Sequence, residues 1–219
     1  METVVLVHGL WMPGLAMELI RRRVARGGYR AVAYSYPSMR LTLSENAEQL
    51  ARYLRDLNAS RLHLVGHSLG GLTALRAIEV ATALPPGRVV LLGTPVTGSY
   101  AARRLQRLPG GRTVLGRSLA EWLRSPRPMA VPARETGVIA GRLSLGLGKL
   151  VAPRLPQPND GVVSVEETQL PGMHDHIVLP VSHSGMLVSR AVARQICAFL
   201  REGGFAHLNR QDAKHAKND

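Results

Sequence analysis

Cysteine is nearly absent: Cys197 stands alone among 219 residues. No intrachain disulfide can form, so the core must hold the fold. Cys197 falls in an apolar helical pattern with Val192, Ile196 and Leu200, where a small buried hydrophobe is expected. Aromatic residues make up only 4% of the chain. A core of Leu, Val and Ala follows. Apart from Trp122, no aromatics that could serve nucleic-acid stacking interleave with the arginines of 98–134, and no recognition motif occurs, so nucleic acid is not an expected partner. Lysine is also scarce. Only Lys149, Lys214 and Lys217 occur, so the other 25 of the 28 cations are arginines. No apolar run approaches the roughly 20 residues a membrane span needs. No leader-like pattern precedes the first apolar run. The expectation is a cytoplasmic protein, at most peripheral at a membrane surface.

What is present suits one domain. Hydrophobic residues reach 45% and glycine numbers 22, consistent with a single core and many tight turns over residues 1–203. Residues 204–219 read as a polar, flexible tail. The net charge is +13. Attraction to anionic surfaces such as phospholipid headgroups, or to an anionic substrate, competes with a plain compositional bias toward arginine.

Short apolar runs alternate with helical patterns. Strands are expected at 3–7, 30–36, 62–65, 89–92, 136–140 and 176–179. Helices are expected at 15–25, from Ser44 as N-cap to 57, at 69–83 and at 185–201. This alternation predicts an α/β fold with a mostly parallel sheet covered on both faces. The rhythm breaks at 98–134, where eight arginines face one acid, Glu121, with leucines and Trp122 interleaved. That segment reads as a small, basic, helical insert placed like a lid.

The strongest chemical signal is Gly66-His67-Ser68-Leu69-Gly70-Gly71, a G-x-S-x-G pattern between an expected strand and helix. A nucleophile elbow needs that placement: Ser68 on a strained turn, with Gly66 and Gly70 lacking side chains where strand and helix pass closely. A serine also needs a base. His183 follows the last strand at its carboxyl end, the edge that Ser68 occupies. His174 and His176 stand at the opposite end, about four extended residues of 3.3 Å away. A carboxylate must orient the base. Asp160, in the loop after the fifth strand, completes the order Ser68, Asp160, His183. Asp175 is the rival, but it precedes the last strand. Glu166 and Glu167 look like the start of a solvated helix. The oxyanion donors should be the amides of Leu69 and of Leu10, in Val7-His8-Gly9-Leu10-Trp11. His8, Trp11 and His67 stand beside them as residues that could line the substrate site, although a structural hydrogen-bonding role also fits His8.

Together with Gly93-Thr94-Pro95, Asp160-Gly161-Val162-Val163 and Ser182-His183-Ser184-Gly185-Met186, these segments resemble the α/β-hydrolase superfamily, and within it small bacterial lipases and esterases. The family's usual histidine after Gly-Thr-Pro is replaced here by Val96, which then falls at the substrate pocket. The resemblance implies ester hydrolysis through an acyl-enzyme, on a lipid or small-molecule ester, with no metal and no organic cofactor. An acyltransferase, thioesterase or amidase on the same triad is the nearest alternative. A non-catalytic membrane-surface module is the more distant one.

Overall fold

Runs such as Val4-Val5-Leu6-Val7 are apolar on both faces, and only a strand buried on both sides can use them. A computed structural model describes residues 1–124, 134–145 and 152–207. It places six strands in one sheet: β1 (Glu2–Val7), β2 (Arg30–Tyr34), β3 (Arg61–His67), β4 (Val89–Leu92), β5 (Thr136–Gly141) and β6 (Asp175–Leu179). The order is β2-β1-β3-β4-β5-β6, and every pairing is parallel.

Side chains alternate across the sheet. Val5 and Val7 face one layer with α2 (Leu43–Asp56) and α3 (Leu69–Val80); Leu50, Leu54, Leu72 and Leu75 fill it. Val4 and Leu6 face the other layer, with α1 (Glu18–Arg26) and the last described helix, α6 (Arg190–Glu202); Ile20, Val24, Ile196 and Phe199 fill that side. Between β4 and β5 lie α4 (Tyr100–Gln106) and α5 (Gly111–Arg124), the described part of the basic insert. Arg127 and part of the expected insert lie outside the described residues.

Several boundaries differ from the sequence reading. The N-cap of α2 is Thr42, not Ser44. Thr42 accepts from the Glu45 amide and Glu45 reaches back to the Thr42 amide, a reciprocal capping box. Ser44 instead donates through its amide and its hydroxyl to Glu121, at 3.1 and 2.6 Å. β2 stops at Tyr34 because the Tyr36 amide donates to the His8 ring, not to the sheet. The expected 15–25 helix is a 3-10 turn, Gly14–Met17, followed by α1. Leu15 and Leu19 are exposed, while Ile20 and Val24 are buried. α3 ends at Val80, short of residue 83, and the last helix is split by Ser189, which caps α6. Of the expected tail, Phe205 is buried against Phe199 and its amide donates to Asp175, while residues 208–219 lie outside the described residues. Cys197 is only half-buried, and burial pushes its thiol up. No described helix is long and apolar enough to cross a membrane.

The capping box gives a direct test. Thr42→Ala should lower unfolding free energy by about 1 kcal/mol, read from the urea midpoint. Ser44→Ala should instead loosen the tie to α5.

Candidate active site

The sheet reverses its winding between β1 and β3, and crevices in open parallel sheets form at such reversals. In the pairing register Val7 lies opposite Gly66. The two following loops, 8–12 and the turn at Ser68, therefore leave the sheet side by side.

Ser68 is the single residue between β3 and α3, with φ 53° and ψ −122°. Such backbone at a non-glycine residue costs about 1–3 kcal/mol and persists only where its surroundings enforce it. Here the Ser68 amide donates to the Leu92 carbonyl at 2.9 Å, and the Gly71 amide donates to the Ser68 carbonyl at 2.9 Å. A Cβ at Gly70 would fall 2.2 Å from the Val7 carbonyl oxygen, and one at Gly66 would fall 2.4 Å from Gly71 Cα. Leu69 opens α3, so its amide is among the four that a helix start leaves without helical partners.

Asp160 meets His183, which lines the same cavity as Ser68. His183 Nδ1 lies 2.7 Å from Asp160 Oδ2. The His183 amide donates to the Asp160 carbonyl at 2.9 Å, so backbone as well as side chain fixes the pair. The other carboxylate oxygen accepts the amides of Val162 and Val163 at 2.9 and 2.8 Å. Burial pushes the Asp160 carboxyl up, but the facing His183 and the two amides outweigh it, and the group is held below its ordinary value. Asp160 therefore stays ionised and can hold the His183 Nδ1 proton, leaving Nε2 free to accept one.

Gly93 was not singled out by sequence beyond its motif. Its φ is 52°, and a Cβ there would fall 2.9 Å from Asp160 Oδ2 and 3.1 Å from His183 Nδ1. The first residue of Gly93-Thr94-Pro95 is thus the floor under the acid–base pair. The only sequence signal for it was the motif itself.

His8 and Val96 do not line the cavity that Ser68 borders. His8 is fully buried and stacked on Tyr36, with ring centroids 4.4 Å apart. Its Nε2 accepts the Tyr36 amide at 3.2 Å, so the hydrogen must sit on Nδ1, which donates to the Gly9 carbonyl at 2.8 Å. That carbonyl shares a planar peptide with the Leu10 N–H. His8 therefore sets the direction of the Leu10 amide. Val96 is fully buried in the α2–α3 core because the chain after Pro95 turns inward. His67 does line the cavity. Its Nε2–H donates to the His183 carbonyl at 3.1 Å, and its ring packs 4.6 Å from that of His183. Burial, then the charge of nearby His183, lowers its pKa to about 3. It is a neutral strut.

The remaining alternatives are elsewhere. Asp175 accepts from the amides of His176 and Phe205 and pairs with His207 at the far end of β6. His176 meets Thr168, and His63 accepts the Arg88 amide. Glu167, expected on a solvated helix, is partly buried. It accepts the amides of Tyr100 at 2.5 Å and Ser164 at 2.8 Å, tying the start of α4 to the Asp160 loop.

A cavity of about 430 Å³ opens over Ser68 and His183. Leu10, Trp11 and Met12 form one wall; Ala101, Ala102 and Leu105 of α4 and Leu115 and Leu119 of α5 form another. Among the described residues, no carboxylate, lysine or arginine lines it.

A family model described as alpha/beta hydrolase family matches residues 4–200. The chain belongs to the α/β-hydrolase family. It is 39% identical over 111 residues to a protein of Pantoea ananatis named as a carbamate hydrolase, RutD; the match spans 47% of this chain and 40% of that one. Among solved structures, the mature lipase BlEst2 of Bacillus licheniformis superposes with TM-score 0.70 at 18% identity, covering 92% of this chain and 91% of that one. Phospholipase PlaB of Legionella pneumophila gives 0.72 at 15% identity, covering 93% of this chain and 61% of that one. These two similarities concern the fold.

Two outcomes follow from the geometry. Gly93→Ala should displace the Asp160–His183 pair and reduce turnover of a p-nitrophenyl ester by about 10²-fold, with the fold retained by circular dichroism. His67 binds a proton near pH 6.5 when unfolded but only near 3 when folded. Its contribution to stability is thus complete above pH 6.5 and falls by about 1.4 kcal/mol per pH unit below it. The urea midpoint should drop between pH 6.5 and 4, less steeply in His67→Gln.

Proposed function

We propose that the protein is a serine hydrolase that cleaves carboxylic esters with an apolar acyl group. The observation that carries this is the Asp160–His183 pair, whose imidazole shares with Ser68 a cavity walled mainly by aliphatic side chains. Ser68 Oγ forms a bond to the ester carbonyl carbon while its proton passes to His183 Nε2. The carbonyl electron pair moves onto oxygen, facing the Leu69 and Leu10 amides. Collapse re-forms the carbonyl, breaks the ester C–O bond and hands the His183 proton to the leaving alkoxide. Water, deprotonated by His183, then repeats the attack on the acyl-enzyme and frees the acid. Asp160 keeps the imidazolium oriented and compensated throughout.

Carbamate cleavage is the activity that the RutD name suggests, and the same residues could perform it. A small polar carbamate would leave its nitrogen and oxygen against aliphatic walls, which is unfavourable without partners. The lining supports an ester of longer acyl chain.

The arginines have a separate place in this reading. Arg103, Arg104, Arg107 and Arg112 are exposed on α4 and the start of α5, and none forms an ion pair among the described residues. The other faces of the same helices line the cavity. A basic outer face over an apolar mouth suits a substrate drawn from an anionic surface.

Ser68→Ala should lower hydrolysis of p-nitrophenyl butyrate by at least about 10³-fold and abolish fluorophosphonate labelling. Activity should rise from acetate to butyrate and longer esters, and exceed that on carbamates. A parent inert on every ester, or a Ser68→Ala variant of equal activity, overturns the proposal. Separately, sedimentation should show stronger binding to vesicles containing phosphatidylglycerol than to phosphatidylcholine alone. That difference should fade at high salt and in an Arg103→Gln, Arg104→Gln, Arg107→Gln variant.

A further inference from the structure

We infer that Trp11 is a positioning residue that ties the α4–α5 segment to the oxyanion loop, so that the Leu10 amide is aimed only while the first turn of α5 is seated. This rests on the ester-hydrolase reading and adds to it a residue that links the cover of the cavity to its chemistry.

Trp11 is 58% exposed, yet its indole N–H donates to the Val114 carbonyl at 2.8 Å, across 103 positions of sequence. Tryptophan has only that one donor. Its φ is 60°, in the left-handed region where a bulky residue is strained. Glycine would meet that backbone without strain, but it has no N–H to give.

The acceptor is available because α5 is broken beside it. Gly116 has φ 67° and ψ 175°, outside the helical range. The helical partner of the Val114 carbonyl would be the amide of Ser118, which lies beyond the break. The break is fixed from below: the Arg117 amide donates to the Met39 carbonyl at 3.0 Å, and a Cβ on Gly116 would fall 2.8 Å from Met39 Cα. The kink therefore seats α5 on the 37–41 loop and at the same time presents the Val114 carbonyl to Trp11.

The Leu10 amide lies between two anchors of different character. On one side, His8 holds the Gly9 carbonyl from within the core. On the other, Trp11 is held by an exposed bond to a segment that covers the cavity. Leu10, Trp11 and Leu115 line that same cavity. Any displacement of the first turn of α5 withdraws the acceptor from Trp11 and releases one side of the oxyanion loop, while the His8 side stays fixed.

The test separates the N–H tie from simple wall packing. Trp11→Phe keeps a ring and removes the donor. Its kcat on p-nitrophenyl butyrate should fall about tenfold, with KM within about twofold of the parent. Inhibition by a trifluoromethyl ketone, whose hemiketal oxygen occupies the oxyanion position, should weaken by the same factor as kcat/KM. Fluorophosphonate titration should still count one site per chain. Trp11→Gly removes both ring and strain; it should lose kcat in the same way, with a Tm no lower than that of the parent. An unchanged kcat in Trp11→Phe, a rise in KM alone, or joint loss of Tm and titratable sites in Trp11→Gly overturns the inference while leaving the ester-hydrolase reading intact. A parent that neither turns over esters nor labels at Ser68 overturns both.

Discussion

The parallel pairing of β1 with β3, in the register that sets Val7 opposite Gly66, is the constraint on which the site depends. It brings the loop carrying Leu10 and the turn carrying Ser68 out of the sheet together. It also leaves so little room that a Cβ at Gly70 would strike the carbonyl of Val7. Sheet register, strand–helix approach and the position of the serine are one packing problem. Slipping the register by one residue would turn the apolar faces of β1 over and separate the two loops. The buried valines and leucines that fix the register therefore also fix the geometry of the candidate site.

The layered α/β architecture was legible because fully apolar strands and amphipathic helices carry different periods. The Ser68 turn, Asp160 and His183 were legible because fold topology restricts which strand ends share an edge. Asp175 failed that restriction, and its actual partners, Phe205 and His207, show what a carboxylate at the other end does. What sequence could not show was direction. His8 and Val96 both neighbour residues that line the cavity, but one ring turns into the sheet to meet Tyr36 and the other side chain turns into the α2 layer. Adjacency along a chain does not say which way a loop side chain points. The N-cap of α2 was misplaced by two residues for a similar reason. Thr42 and Ser44 are both competent caps, and only the reach of Glu45 and Glu121 distinguishes them.

The acids near the insert are the clearest case of tertiary context changing the meaning of a residue. Glu121 looks like a lone acid in a basic helix, yet both its oxygens are used on Ser44 at the start of α2. Asn46 and Ser118 continue that joint inside the protein, with the Ser118 hydroxyl donating to the Leu41 carbonyl. Glu167 performs the same service for the start of α4, and burial pushes its carboxyl up. The described insert is therefore held at its roots by carboxylates while Arg103, Arg104, Arg107 and Arg112 face outward; Arg134 turns inward to the Leu62 and Pro85 carbonyls. The division is physical: part-buried acids accept otherwise orphaned amides, and the solvated guanidinium groups of Arg103, Arg104, Arg107 and Arg112 set the outer field.

Backbone strain follows the same logic of position. Three non-glycine residues among those described have positive φ: Trp11, Ser68 and Ala83. Ser68 directly follows β3 and Trp11 stands four residues beyond the end of β1, and both line one crevice. Glycine would fit either backbone more easily, so conformation alone does not account for the residues present. Ser68 supplies an oxygen at the apex of the turn, and Trp11 supplies a hydrogen-bond donor that reaches α5. Both of these residues are held by contacts outside their own loops: Ser68 by the Leu92 carbonyl, Trp11 by the Val114 carbonyl. Strain that the surroundings maintain, at residues whose side-chain chemistry glycine could not replace, marks where this fold departs from its own easiest conformation. Both departures border the same cavity, and the sheet register is what puts them there.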